Sequence, residues 1–127
     1  MKTALVLFAH GSRDPDWAAP FRAVQRNVAA ARPDIEVELA FLEVMQPSLP
    51  VAVDRLIAAG SERITIAPLF MAQGAHLKRD LAKLVQELQA KHGRVQLALL
   101  PAAGEAQPVI EAISGWLAGN VGAPHQS

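Results

Sequence analysis

His10, Glu43 and His76 are the residues in this 127-residue chain whose types and placement suit metal chemistry. Two imidazoles and a carboxylate form a common donor set for a divalent first-row metal. The same set suits general acid–base work, because imidazole titrates near neutral pH. Each follows an apolar run: His10 after Leu5–Ala9, Glu43 after Ile35–Leu42, and His76 a few residues after Arg63–Leu69. Each also has a blander reading. A histidine after a strand serves more often as a hydrogen-bonded loop residue, and Glu43 suits a solvated strand terminus. Gly11 and Gly74 suit turns, Met71 suits packing, and Lys78 reads as an ordinary exposed helix residue.

The three groups can act together only if the apolar runs lie side by side. Thr3–Ala9 is almost wholly apolar, which fits a strand buried on both faces. In Asp16–Ala31, Trp17, Phe21, Val24 and Val28 recur at helical spacing, predicting an amphipathic helix with Asp16 as N-cap, Pro20 in its first turn and Pro33 beyond its end. Ile35–Leu42 is a second strand. A helix runs from Pro47-Ser48 to Ala59, closed by Gly60. Arg63–Leu69 is a third strand. Leu77–Lys91 is a helix with an apolar stripe of Leu77, Leu81, Leu84, Val85 and Leu88. Arg94–Leu100 is a fourth strand and Pro108–Ala118 a last helix. Gly119–Ser127 reads as a loose polar tail.

Strict alternation of strand and helix predicts an α/β fold: a four-stranded parallel sheet with helices on both faces, as one domain over residues 1–127. Ligands of such sheets bind beyond the carboxyl ends of the strands. All four strand-to-helix segments then share one edge. His10, Glu43 and His76 are expected to converge there, although 66 positions (76 minus 10) separate the histidines. The other histidines differ: His92 ends a helix, where the dipole favours a cation, and His125 lies in the tail.

Several function classes fall away. No GxGxxG or Walker A pattern follows the first strand, so the dinucleotide and P-loop cradles are absent. No GxSxG elbow surrounds Ser12, which argues against a hydrolase nucleophile. The absence of cysteine removes disulfides, zinc ribbons, thiol nucleophiles and cysteine-held iron–sulfur clusters. Twelve basic and twelve acidic residues balance to zero charge, against a nucleic-acid partner. The sequence is 51% hydrophobic with no apolar run of membrane-spanning length and no signal peptide, so a soluble, cytoplasmic protein is expected, with no membrane partner.

LVLFAHGSRDP, FLEVMQPSLP and PLFMAQGAHLKRDL occur in this order. Together they resemble the short sirohydrochlorin chelatases, class II tetrapyrrole chelatases of the cobalamin and siroheme pathways. The resemblance covers roughly residues 3 to 118. It implies a flavodoxin-like, chelatase-like half-unit that pairs as a homodimer. It also implies ATP-independent insertion of a divalent metal, Co²⁺ first or else Fe²⁺, into sirohydrochlorin. His10, Glu43 and His76 would bind the metal and accept pyrrole protons. The metal is then a substrate, and no tightly bound cofactor is expected. The chain departs from many relatives in lacking a histidine-rich stretch, and Leu100–Pro108 carries no distinctive functional residue.

The chemistry suits these residues. Ligation by two or three side chains leaves coordination positions open, as a transfer site requires. A carboxylate-rich macrocycle calls for cationic groups, and Arg13 and Lys78-Arg79 flank the histidines. Backbone N–H groups of Gly11 and Ser12 could add to the anion site, with Met45, Phe70 and Met71 against the flat macrocycle. Competing readings are a nickel chelatase with the same site, a non-catalytic tetrapyrrole or metal carrier, and a flavodoxin- or receiver-like signalling module. A receiver needs an acidic cluster at its strand ends, where this chain has histidines.

Overall fold

The computed structural model describes residues 1–122. Four strands, β1 (Thr3–Ala9), β2 (Glu36–Phe41), β3 (Arg63–Pro68) and β4 (Gln96–Leu99), form one parallel sheet in the order β2-β1-β3-β4. The helices are α1 (Ala19–Ala31), α2 (Leu49–Ala58), α3 (Ala75–Lys91) and α4 (Gln107–Asn120).

The strand order dictates the layers. From β1 the chain moves outward to β2, then crosses back over β1 to β3 and on to β4. Right-handed crossovers in opposite directions put their helices on opposite faces. Accordingly, α2 and α3 cover one face, where Leu49, Val53, Leu56, Leu81, Val85 and Leu88 pack on Val6, Phe8, Ile64 and Ile66. α1 and the turn before it cover the other, where Trp17, Ala18 and Phe21 pack with Leu7, Ala9, Leu39 and Phe41. Phe8 is level with Ala40 and Pro68, so β1, β2 and β3 end together. The direction of winding reverses at β1 and β3, and such a switch point opens a crevice at the carboxyl ends.

The predicted architecture holds, with shifted ends. Asp14, not Asp16, is the first cap: its carboxylate accepts the Asp16 N–H at 2.9 Å, and Pro15–Ala18 form a 3-10 turn before α1. Pro15, lacking an N–H, suits the first position of that turn. Ser48 caps α2. β1 has the predicted ends, while β2, β3 and β4 are shorter than predicted, with Ile35, Leu42, Leu69, Arg94, Val95 and Leu100 outside the strands. α3 begins earlier, at Ala75, because Gly74 is already in the extended N-cap conformation. His76 therefore stands on the first turn of a helix rather than in a loop. α4 runs to Asn120, so Gly119 and Asn120 are helical, and the Asn120 amide donates to the Trp116 carbonyl. The rest of the expected tail beyond Gly122, including His125, lies outside the described residues. No helix among the described residues is long and apolar enough to cross a membrane.

Candidate active site at the strand ends

The β1–β2 ladder does not stop where the strands do. Leu42 N–H donates to the Ala9 carbonyl at 2.9 Å and Glu43 N–H to the His10 carbonyl at 3.1 Å. These bonds carry Glu43 alongside His10. Gly11 follows with φ +99°, and a Cβ placed on it would lie 1.9 Å from the Glu43 carbonyl oxygen. No L-side chain fits there, so Gly11 is the residue that lets the first loop lie on the backbone of Glu43.

The two side chains meet. His10 Nε2 is 3.7 Å from Glu43 Oε1, and both groups are more than half exposed, at 52% and 62%. Two donors bound about 2.0–2.2 Å from one tetrahedral cation lie roughly 3.4 Å apart. The pair needs only a small closure to share a metal, and the exposed flank leaves coordination positions for a second ligand.

Next in the chain, Val44 has φ +68° and is 58% exposed. A β-branched residue in the left-handed region is strained, and such strain persists only where the surroundings enforce it. Here Met45 N–H donates to the Glu43 carbonyl at 2.7 Å, closing a tight turn. The turn sends Met45 into the cluster under α1 and leaves Leu42 and Val44 exposed around Glu43. Sequence reasoning set Met45 against the macrocycle; the exposed large apolar residues just after β2 and β3 are Leu42, Val44 and Met71. The apolar pair bracketing Glu43 was a visible signal.

Ser12 serves its own turn: its hydroxyl accepts the Asp14 N–H at 3.1 Å. Arg13 is exposed and makes no ion pair among the described residues. His76 and Arg79 are exposed and bonded to each other, Nδ1 to guanidinium at 2.7 Å, one turn apart on α3. A guanidinium only donates, so His76 Nδ1 is the acceptor and its proton sits on Nε2. Among the described residues no three His, Asp or Glu side chains are close enough to hold a metal ion. The structure thus joins His10 to Glu43 and pairs His76 with Arg79, at helical i+3 spacing, instead.

Lys78 lines a cavity of about 330 Å³ with Gln73, Leu99 and Glu105, beside the β3–α3 loop. Phe70 packs its ring edge-to-face against His10, with centroids 5.8 Å apart. Gly104, in the segment after β4 that showed no distinctive residue in the sequence, donates its N–H to the Phe70 carbonyl at 2.9 Å. His92 lies away from this edge and ties α3 to α2, with Nε2 2.9 Å from Asp54 Oδ1.

Comparison with known proteins places the fold. A model of the CbiX family matches residues 4–117. The chain is 34% identical over 82 residues to a sirohydrochlorin cobaltochelatase of Methanococcus aeolicus, a match covering 65% of this chain and 57% of that protein. It is 34% identical over 89 residues to the protein of the same name from Methanocaldococcus jannaschii, covering 70% and 62%. The matched stretch is therefore less than two thirds of the length of these relatives. Among solved structures, a CbiX protein from Marinobacter aquaeolei superposes with a TM-score of 0.80 at 29% identity, covering 94% of this chain and 97% of that one. The chelatase SirB from Bacillus subtilis subspecies spizizenii, in complex with cobalt, shares the fold at TM-score 0.78 and 21% identity, with 94% of this chain matching 51% of that chain.

Proposed function

The chain belongs to the CbiX family, and on that premise we propose that it inserts a divalent metal into sirohydrochlorin without ATP. Cobalt is the first candidate, from the name of the curated relatives, and iron the second. The product then serves cobalamin or siroheme synthesis. The observation that carries the reading is the approach of His10 to Glu43 at the switch point of the sheet, open on one flank.

In the proposed reaction the metal is a substrate. His10 and Glu43 hold it on the open flank, and the macrocycle lies against exposed Leu42, Val44 and Met71. Two pyrrole nitrogens lose their protons as they bond to the metal, and the protons pass to neutral imidazole or carboxylate. His76 is the proposed third group. Its imidazole becomes available when Arg79 leaves it for a rim carboxylate of the substrate, so substrate binding and His76 release are one event. Arg13 adds a second cation, and the Gly11 and Ser12 N–H groups border the same edge.

We also propose that the protein acts in the cytoplasm as a homodimer, with no tightly bound cofactor. α4 supports the pairing: it buries none of its residues, and Ile110, Trp116 and Leu117 stand 41%, 67% and 52% exposed. The match to about half of the SirB chain is consistent with a second unit of similar size beside this one.

The test is anaerobic insertion. Sirohydrochlorin and Co²⁺ or Fe²⁺ are mixed with the purified protein, and the change in absorption is followed. A protein-dependent rate that collapses in H10A and H76A is expected. Binding of the tetrapyrrole without acceleration would instead favour a carrier.

A further inference from the structure

Among the described residues the His10 side chain makes no hydrogen bond, and its polar neighbour is Glu43 at 3.7 Å. A metal-binding histidine ordinarily has its ring direction fixed by a hydrogen bond from the other ring nitrogen. Here the direction must come from packing. The ring of Phe70 meets the imidazole at 72°, with centroids 5.8 Å apart.

Phe70 is itself held from several sides. Its ring packs edge-on to Phe8, with centroids 5.9 Å apart, and Phe8 is a fully buried residue of β1. Leu69 N–H donates to the Phe8 carbonyl at 2.8 Å, and the Phe70 carbonyl accepts the Gly104 N–H at 2.9 Å. Gly104 can reach that carbonyl because it has no side chain: a Cβ there would lie 1.9 Å from the Met71 oxygen and 2.4 Å from the Met71 Cα. These are backbone atoms, so no rotamer change relieves the clash.

We infer that Phe70 is a positioning residue for His10, and that Gly104 lets the segment after β4 lock Phe70 in place. The inference rests on the reading of His10 as a metal-holding group. Phe70 limits the directions open to the imidazole and keeps Nε2 toward Glu43. The order is Gly104 to Phe70 backbone, Phe70 ring to His10 ring, and His10 to the metal.

The experiment is titration of the full chain with Co²⁺ alone, using H10A as the reference and thermal unfolding as the control for folding. F70L should weaken Co²⁺ binding by about tenfold, the lower range for loss of a ligand-orienting neighbour. F70Y, which keeps the ring, should restore it. G104A should weaken it in the same direction. The NMR signals of the His10 ring protons should move in F70L and stay near wild type in F70Y. If G104A does not fold, the F70L and F70Y pair decides. Lower thermal stability in F70L, with Co²⁺ affinity and His10 signals unchanged, assigns Phe70 a structural role and overturns the inference. If H10A binds Co²⁺ as wild type does, the reading of the site fails and the inference with it. If H10A loses affinity and F70L does not, only the inference fails.

Discussion

His10 and Glu43 are joined twice: Glu43 N–H donates to the His10 carbonyl at 3.1 Å, and their side chains approach to 3.7 Å. The backbone bond fixes the distance between the two residues, and the side chains stay free to close on a cation. Both side chains are exposed, and an exposed contact of this kind adds little to stability. The pairing is better explained by what it can hold than by what it stabilises.

Removal of either group should therefore cost activity and leave folding intact. H10A should slow metal insertion by about 100-fold or more, the lower end of the range for a lost acid–base group, and E43Q should slow it by a smaller factor. Thermal unfolding of both variants should stay near wild type. The check is the insertion rate by absorption, alongside the melting curve.

Gly11 gives the opposite pattern. Its φ of +99° and the 1.9 Å approach of a Cβ to the Glu43 oxygen penalise any substitution. G11A should destabilise the chain by about 1–3 kcal/mol, read from the urea midpoint. Because Glu43 must move, Co²⁺ affinity should fall as well.

The exposed apolar face of α4 predicts an oligomer that a single charge breaks. W116E should leave secondary structure unchanged and shift a micromolar sample from dimer to monomer in sedimentation. The wild-type melting temperature should rise with protein concentration, and that of W116E should not. A wild type that sediments as a monomer removes the dimer.

Arg32 and Asp34 set a small acid dependence. Arg32 donates to both carboxylate oxygens of Asp34, at 2.9 and 2.8 Å, and this holds the Asp34 carboxyl below its usual value of 3.8. A depressed folded-state value makes the contribution fully present above the unfolded value and lost as pH falls through the folded one. D34N should thus melt slightly below wild type at pH values above the usual carboxylate range. The two curves should converge as acid protonates Asp34, within the small range of an exposed pair.

Much of the fold was legible because it rests on local rules. Alternating apolar strands and amphipathic helices specify a parallel sheet, and a parallel sheet puts its strand ends on one edge. That edge carries His10 and Glu43, and the backbone ladder between β1 and β2 brings them level. Side-chain contacts and tertiary packing decided the rest. His76 was expected at the same point, but its side chain is engaged by Arg79 on the same helix, and sequence spacing does not say whether a side chain chooses its neighbour or the common edge. Met45 was expected against the macrocycle. The positive φ of Val44 breaks the alternation of the extended chain, so Met45, half-buried, packs against the cluster under α1 while Val44 faces out. Gly104 carried no motif. Its role comes from backbone contact with Phe70 and Met71, more than thirty positions earlier (104 minus 71 is 33), and such contact exists only once β3 and β4 lie side by side. The residue types established the available chemistry, and packing between distant segments decided which groups meet and in what direction they point.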